Sequence, residues 1–176
     1  AVTGLPLRSH FLTRLQDQLG ASGAGASPHA GGSPRTALVL VRVLELESVN
    51  DRLGREATDR VLRAVADILQ TYLERVPGAL AGRLNGGDFG LGLPVPGVAA
   101  ETAASIHAAL AASAALRAGG VNFAVGAADG LVDTGVGAAL AQADAALARA
   151  EATDGLAVDG SDGLAADPTG ARAWRE

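Results

Sequence analysis

The 176-residue chain contains no cysteine, which excludes disulfide scaffolds and thiolate metal centres and permits a cytoplasmic address. It contains no lysine either: all 14 basic residues are arginine. A phosphate-binding loop of the G-x-x-x-x-G-K type is therefore ruled out, because its lysine is the group that reaches the terminal phosphates. Excess positive charge is also missing. With 19 acidic residues the formal net charge is -5 and the pI about 5.1, which argues against the clustered cations that nucleic-acid binding requires. No apolar run is long enough to span a membrane, and the first residues lack the pattern of a signal peptide. Histidine is scarce: His10, His29 and His107 lie far apart without ligand spacing and suggest no metal site.

What is present suits one sizeable core. Hydrophobic residues make up 48% of the chain, and a single domain over residues 1–158 is expected. Phe11, Leu12, Leu15 and Leu19 recur at helical spacing, predicting an amphipathic helix over 7–20. The small residues that follow cannot bury enough surface to offset their ordering entropy, so 21–35 reads as a flexible loop. The nearly continuous apolar run Ala37–Leu44, interrupted by Arg42, predicts a central strand. Helices are expected near 45–53 and 56–74, the second carrying Val61, Leu62, Val65, Ile68, Leu69 and Leu73 on one stripe. An alanine-rich helix over 98–117, a strand over 121–128, a second alanine-rich helix over 136–152 and a short strand near 156–158 complete the pattern.

The resulting order is β-α-α-β-β-α-β-α-β, an α+β fold of the ferredoxin or nucleotidyl-cyclase kind, with helices expected on one face of the sheet. The tail 159–176, with the only tryptophan, Trp174, reads as a linker toward a further domain, and the opening Ala1–Pro6 as a segment cut from something longer.

The most informative stretch is Arg83–Pro94, two apolar strands joined by a glycine-rich turn with one carboxylate, Asp88. Asn85-Gly86 is a hairpin signal, since both residue types tolerate positive φ, and so bare a turn would let a phosphate approach the backbone. Arg42, within the Ala37–Leu44 run, needs a carboxylate partner, with Glu45 and Asp88 as the candidates.

These motifs together resemble the GGDEF domain, the diguanylate cyclase family that condenses two GTP into cyclic di-GMP. Thr3-Gly4-Leu5-Pro6 followed by Arg8 is similar to the family's opening L-T-G-L-P-N-R. Val49-Asn50-Asp51-Arg52-Leu53-Gly54 with Asp59-Arg60-Val61-Leu62 resembles its guanine-binding helix pair. Ala143-Asp144-Ala145-Ala146-Leu147 is similar to part of its last helix. By this resemblance the signature letters align with Asn85, Gly86, Gly87, Asp88 and Phe89, or with Gly86-Gly87-Asp88 and one deletion.

The resemblance also implies losses. The family's strand aspartate that binds Mg²⁺ falls at Arg42, a cation where a cation must bind. A second strand aspartate falls at Leu44, and the family's phenylalanine and lysine at Leu46 and Glu47. Its last-helix tyrosine and phosphate-binding lysine fall at Ala148 and Glu151, and its R-x-x-D product-inhibition site at Val76 and Ala79. No intact catalytic set or metal site is expected, with Asp88 as the one possible remnant ligand. Asn50 and Asp59 read either as hydrogen-bonding partners of a guanine edge or as helix caps.

Three functions stay open at this point: a silent regulatory domain that senses GTP or packs against an attached EAL domain, a weakly active diguanylate cyclase, and a ligand-free dimerisation module. No cofactor is expected beyond Mg²⁺ accompanying GTP. A homodimer is possible, nucleic-acid and membrane contacts are not expected, and a cytoplasmic location is.

Overall fold

The computed structural model describes residues 3–24, 36–95, 97–131, 135–153 and 155–160. The run Thr36–Val43 forms β1, the central strand of a five-stranded sheet. Seven of its eight residues are buried and only Arg42 is half-buried, as expected of a β-branched run covered on both faces. Around it the chain places α1 (Arg8–Ala24), α2 (Leu46–Leu53), α3 (Arg55–Arg75), β2 (Leu80–Arg83), β3 (Asp88–Leu93), α4 (Ala99–Ala112), α5 (Ala114–Gly119), β4 (Phe123–Leu131), α6 (Val136–Glu151) and β5 (Leu156–Gly160). The sheet order is β2-β3-β1-β4-β5. It is antiparallel except between β4 and β5.

Alternation along β1 divides the interior into two cores, because successive side chains leave opposite faces of the sheet. Ala37, Val39, Val41 and Val43 pack with Val61, Val65 and Leu69 of α3 and with Ile106 and Leu110 of α4. Leu38 and Leu40 pack with Phe11, Leu15 and Leu19 of α1 and with Ala143, Ala146 and Leu147 of α6. Helices thus cover both faces, not the one face expected from sequence; α1 and the small-residue helix α6 supply the second layer. Arg42 has the parity of Leu38 and Leu40 and emerges at the edge of the α1–α6 side.

Bare strand positions let these helices approach. A Cβ on Gly82 or Gly90 would lie 2.5 Å and 2.8 Å from atoms of Phe11, so the hairpin glycines make room for the Phe11 ring. On the other side of the sheet's centre, a Cβ on Gly126 of β4 would lie 2.5 Å from the Leu147 Cα of α6.

The expected 98–117 helix is two helices. Ser113 is extended (φ -65°, ψ 123°), its N–H donates to the Leu110 carbonyl, and its own carbonyl accepts from Arg117 to start α5. The Ser113 side chain makes no cap hydrogen bond, so it is the extended Ser113 backbone that separates the two helices. Helix α1 continues through Ala24, four residues into the expected loop; residues 25–35 and the tail 161–176 with Trp174 lie outside the described residues.

Candidate functional site

The site lies where β1, β3 and α6 meet. Arg42 and Asp88 are directly paired across the antiparallel β1–β3 register. The Arg42 guanidinium donates to both Asp88 oxygens, Nε to Oδ1 at 2.8 Å and Nη2 to Oδ2 at 3.1 Å. Its Nη1 donates to Glu151 Oε1 at 3.2 Å, and Nη2 lies 3.6 Å from Asp144 Oδ1. Three carboxylates from two elements therefore surround one cation. The bidentate hydrogen bond to Asp88 raises the Arg42 pKa above the ordinary arginine value, against the smaller opposing effect of burial. Of the two expected partners, Asp88 is the actual one. Glu45 is exposed in a left-handed conformation (φ 54°, ψ 41°) at the start of α2 and forms no ion pair with Arg42.

The hairpin loop departs from expectation. Neither Asn85, Gly86 nor Gly87 has positive φ. The connection is a four-residue loop, 84–87, instead of a tight two-residue turn, and Asp88 opens β3. The Asp88 carbonyl accepts from Leu84 and Asn85 N–H at 2.7 Å and 3.4 Å, while the Arg83 guanidinium holds the Gly86 carbonyl at 2.7 Å. Gly87 serves protein packing: its carbonyl accepts from Val43 N–H at 2.8 Å, and a Cβ there would stand 3.0 Å from the Val43 carbonyl oxygen, with Leu46 just beyond. Asn85 and Gly86 stay exposed, while β1 and α2 pack against Gly87. Phe89 is fully buried in the core beneath.

Asn50 and Asp59 are not caps. Asn50 lies within α2 and Asp59 is the fifth residue of α3; the cap positions belong to Glu45 and Gly54, without side-chain cap bonds. Asn50 is exposed and Asp59 half-buried, and neither lines the cleft beside Arg42. That cleft, about 360 Å³, runs between α1 and α6 over β1 and β3.

Residues 1–155 match the family profile "Diguanylate cyclase, GGDEF domain". The chain belongs to the GGDEF domain family. Solved GGDEF structures share its fold. The S helix-GGDEF-EAL portion of Vibrio cholerae LapD superposes with a TM-score of 0.72 at 21% identity, covering 92% of this chain and 36% of that one. This chain therefore spans about a third of that solved chain. The GGDEF domain of DgcB from Caulobacter crescentus, solved with c-di-GMP, gives 0.70 at 18% identity over 91% and 90%. The GGDEF-only form of TpbB (YfiN) from Pseudomonas aeruginosa gives 0.71 at 25% identity over 100% and 98%. No curated protein sequence matches this chain significantly.

Within a GGDEF domain, Mg²⁺ is the expected companion of the nucleotide, and the residues at this junction do not fit it. Both Asp88 oxygens and one Glu151 oxygen already receive guanidinium N–H groups, and the guanidinium charge would repel a second cation at the same oxygens. Among the described residues no group of three or more His, Asp or Glu is arranged to hold a metal. Sequence reasoning placed Asp144 and Glu151 separately but missed their convergence on Arg42. Seven residues apart, they share one face of α6, but that this face meets Arg42 is set by how the helix packs on the sheet.

Proposed function

We propose that this GGDEF domain is a catalytically silent regulatory module of cyclic di-GMP signalling. The observation that carries the reading is the Arg42–Asp88 pair, closed by Glu151 and Asp144. Phosphoryl transfer depends on metal ions and cations to spread charge over the transferring group. Here the strand position from which the family binds metal carries the cation, and the last-helix position from which it binds phosphate carries a carboxylate. Losing several charges of an electrostatic site removes orders of magnitude of rate.

Regulation then rests on retained guanine recognition or on packing. Asn50 and Asp59 keep their polar groups uncommitted to helix capping, which favours recognition of a guanine edge by an amide and a carboxylate. GTP can shift an attached EAL domain, or a second copy of the domain, only as far as it prefers one arrangement over the other. The EAL-bearing architecture of LapD supports that kind of partner.

Calorimetric titration with a non-hydrolysable GTP analogue and Mg²⁺, with ATP as control, tests the sensor. Saturable guanine-selective heat that disappears in Asn50→Ala and Asp59→Ala is the expected result. Absence of heat at millimolar analogue refutes nucleotide sensing and leaves a packing module.

A further inference from the structure

The cleft between α1 and α6 has a chemistry that neither guanine recognition nor the Arg42 junction uses. Its floor is apolar, formed by Leu40, Leu84, Phe89 and Leu147, each at most 9% exposed. Its volume of about 360 Å³ lies within the range of small-molecule sites, which pair an apolar lining with a few placed polar groups. Four charged side chains line it: Arg8, Arg42, Asp88 and Asp144. Their formal charges cancel, but their commitments differ. Arg42 is spent on the three carboxylates, whereas the Arg8 side chain has no hydrogen bond or ion pair among the described residues. Arg8 is also the first residue of the 17-residue helix α1, whose first turn contains no acidic residue. The positive end of the helix dipole therefore adds to its charge.

We propose that this cleft binds a monoanionic amphiphile: one carboxylate on a compact apolar body, with the body on the leucine and phenylalanine floor and the carboxylate on Arg8. The ligand class follows from the charge count. A guanidinium presents a planar fork that matches a carboxylate in two parallel hydrogen bonds. A polyphosphate would bring several negative charges to a cleft with one uncommitted cation and two carboxylates on its walls, so a single anionic group is the better match. An uncharged apolar ligand would leave Arg8 unused. Because Arg42, Asp88 and Asp144 form one wall, the occupied cleft abuts the junction that ties α6 to β1 and β3. The proposal is independent of the guanine reading, since neither Asn50 nor Asp59 lines the cleft.

Indole-3-acetate is a suitable probe, with uncharged indole-3-acetamide as its isostere, followed by amide NMR shifts on the 176-residue chain. Saturable shifts confined to α1, α6 and the 84–89 segment are expected, with the acetamide bound at least ~5-fold more weakly because it lacks the charge. Arg8→Gln should weaken acetate to the level of acetamide. Ala141→Trp, a substitution from the exposed face of α6, should abolish both while leaving spectral dispersion intact. Equal binding of the two probes, binding that survives Ala141→Trp in a folded variant, or no saturation up to about 10 mM acetate would overturn the proposal.

Discussion

Truncation of the Arg42–Asp88 pair should reveal an asymmetric coupling. An exposed ion pair contributes about 0.2–1 kcal/mol. Breaking a buried pair by removing one partner costs about 3–5 kcal/mol, because the other charge is left uncompensated. Here the side chains are 30% and 20% exposed and the contact is bidentate, which places the pair between these limits. Arg42→Ala also leaves Asp88, Glu151 and Asp144 facing one another without a cation, so a loss of about 2–3 kcal/mol is expected. Asp88→Ala should cost less, about 1–2 kcal/mol, since Arg42 retains Glu151 and Asp144. A double-mutant cycle read by urea unfolding, with unchanged m-values, should give a coupling of about 1–2 kcal/mol.

Added NaCl should shrink the Arg42→Ala deficit as carboxylate repulsion is screened. The sign with pH also follows. Arg42 has a folded-state pKa raised above its ordinary value, so its contribution is complete below that value and is lost only as pH rises through the folded one. The stability gap between the parent chain and Arg42→Met should accordingly be flat from about pH 7 to about pH 10. A coupling below about 0.3 kcal/mol, or Asp88→Ala costing as much as Arg42→Ala, would refute the view that Arg42 is the shared cation of three carboxylates.

Two other substitutions probe the scaffold. Gly126→Ala would drive a methyl group into the backbone of α6 at Leu147 and should destabilise by about 3 kcal/mol or more, visible as a lowered Tm. Glu45 is the only non-glycine residue at positive φ among the described residues, so Glu45→Asn should stabilise by about 0.5–1 kcal/mol in the same assay, without altering the Arg42 junction.

Much of this fold was legible because its elements have strong periods. The β1 run, the α3 stripe and the alanine helices declare themselves by burial pattern alone, and their boundaries moved by only a few residues. The break at Ser113 was harder, since a serine is compatible with a helix interior until its backbone is seen to cap the next helix. The hairpin misled for a different reason. Asn85-Gly86 signals a positive-φ turn, but Gly86 and Gly87 serve the packing of Leu46 and Val43 within a wider loop. At the site, the cation at position 42 was readable and Asp88 was one of two candidate partners; the β1–β3 register selects Asp88 over Glu45. The approach of Asp144 and Glu151, and the uncommitted Arg8 across a cleft, depend on how α6 and α1 pack over the sheet. Helix-on-sheet placement of that kind has no local sequence signature.

As proposed, a GGDEF domain that carries Arg42 at the family's metal-binding position is expected not to make cyclic di-GMP. The direct measurement is chromatographic detection of product from GTP with Mg²⁺ or Mn²⁺, at protein concentrations high enough to drive dimerisation. No product above the protein-free control is expected; steady formation of cyclic di-GMP that is abolished by Asp88→Asn would contradict catalytic silence.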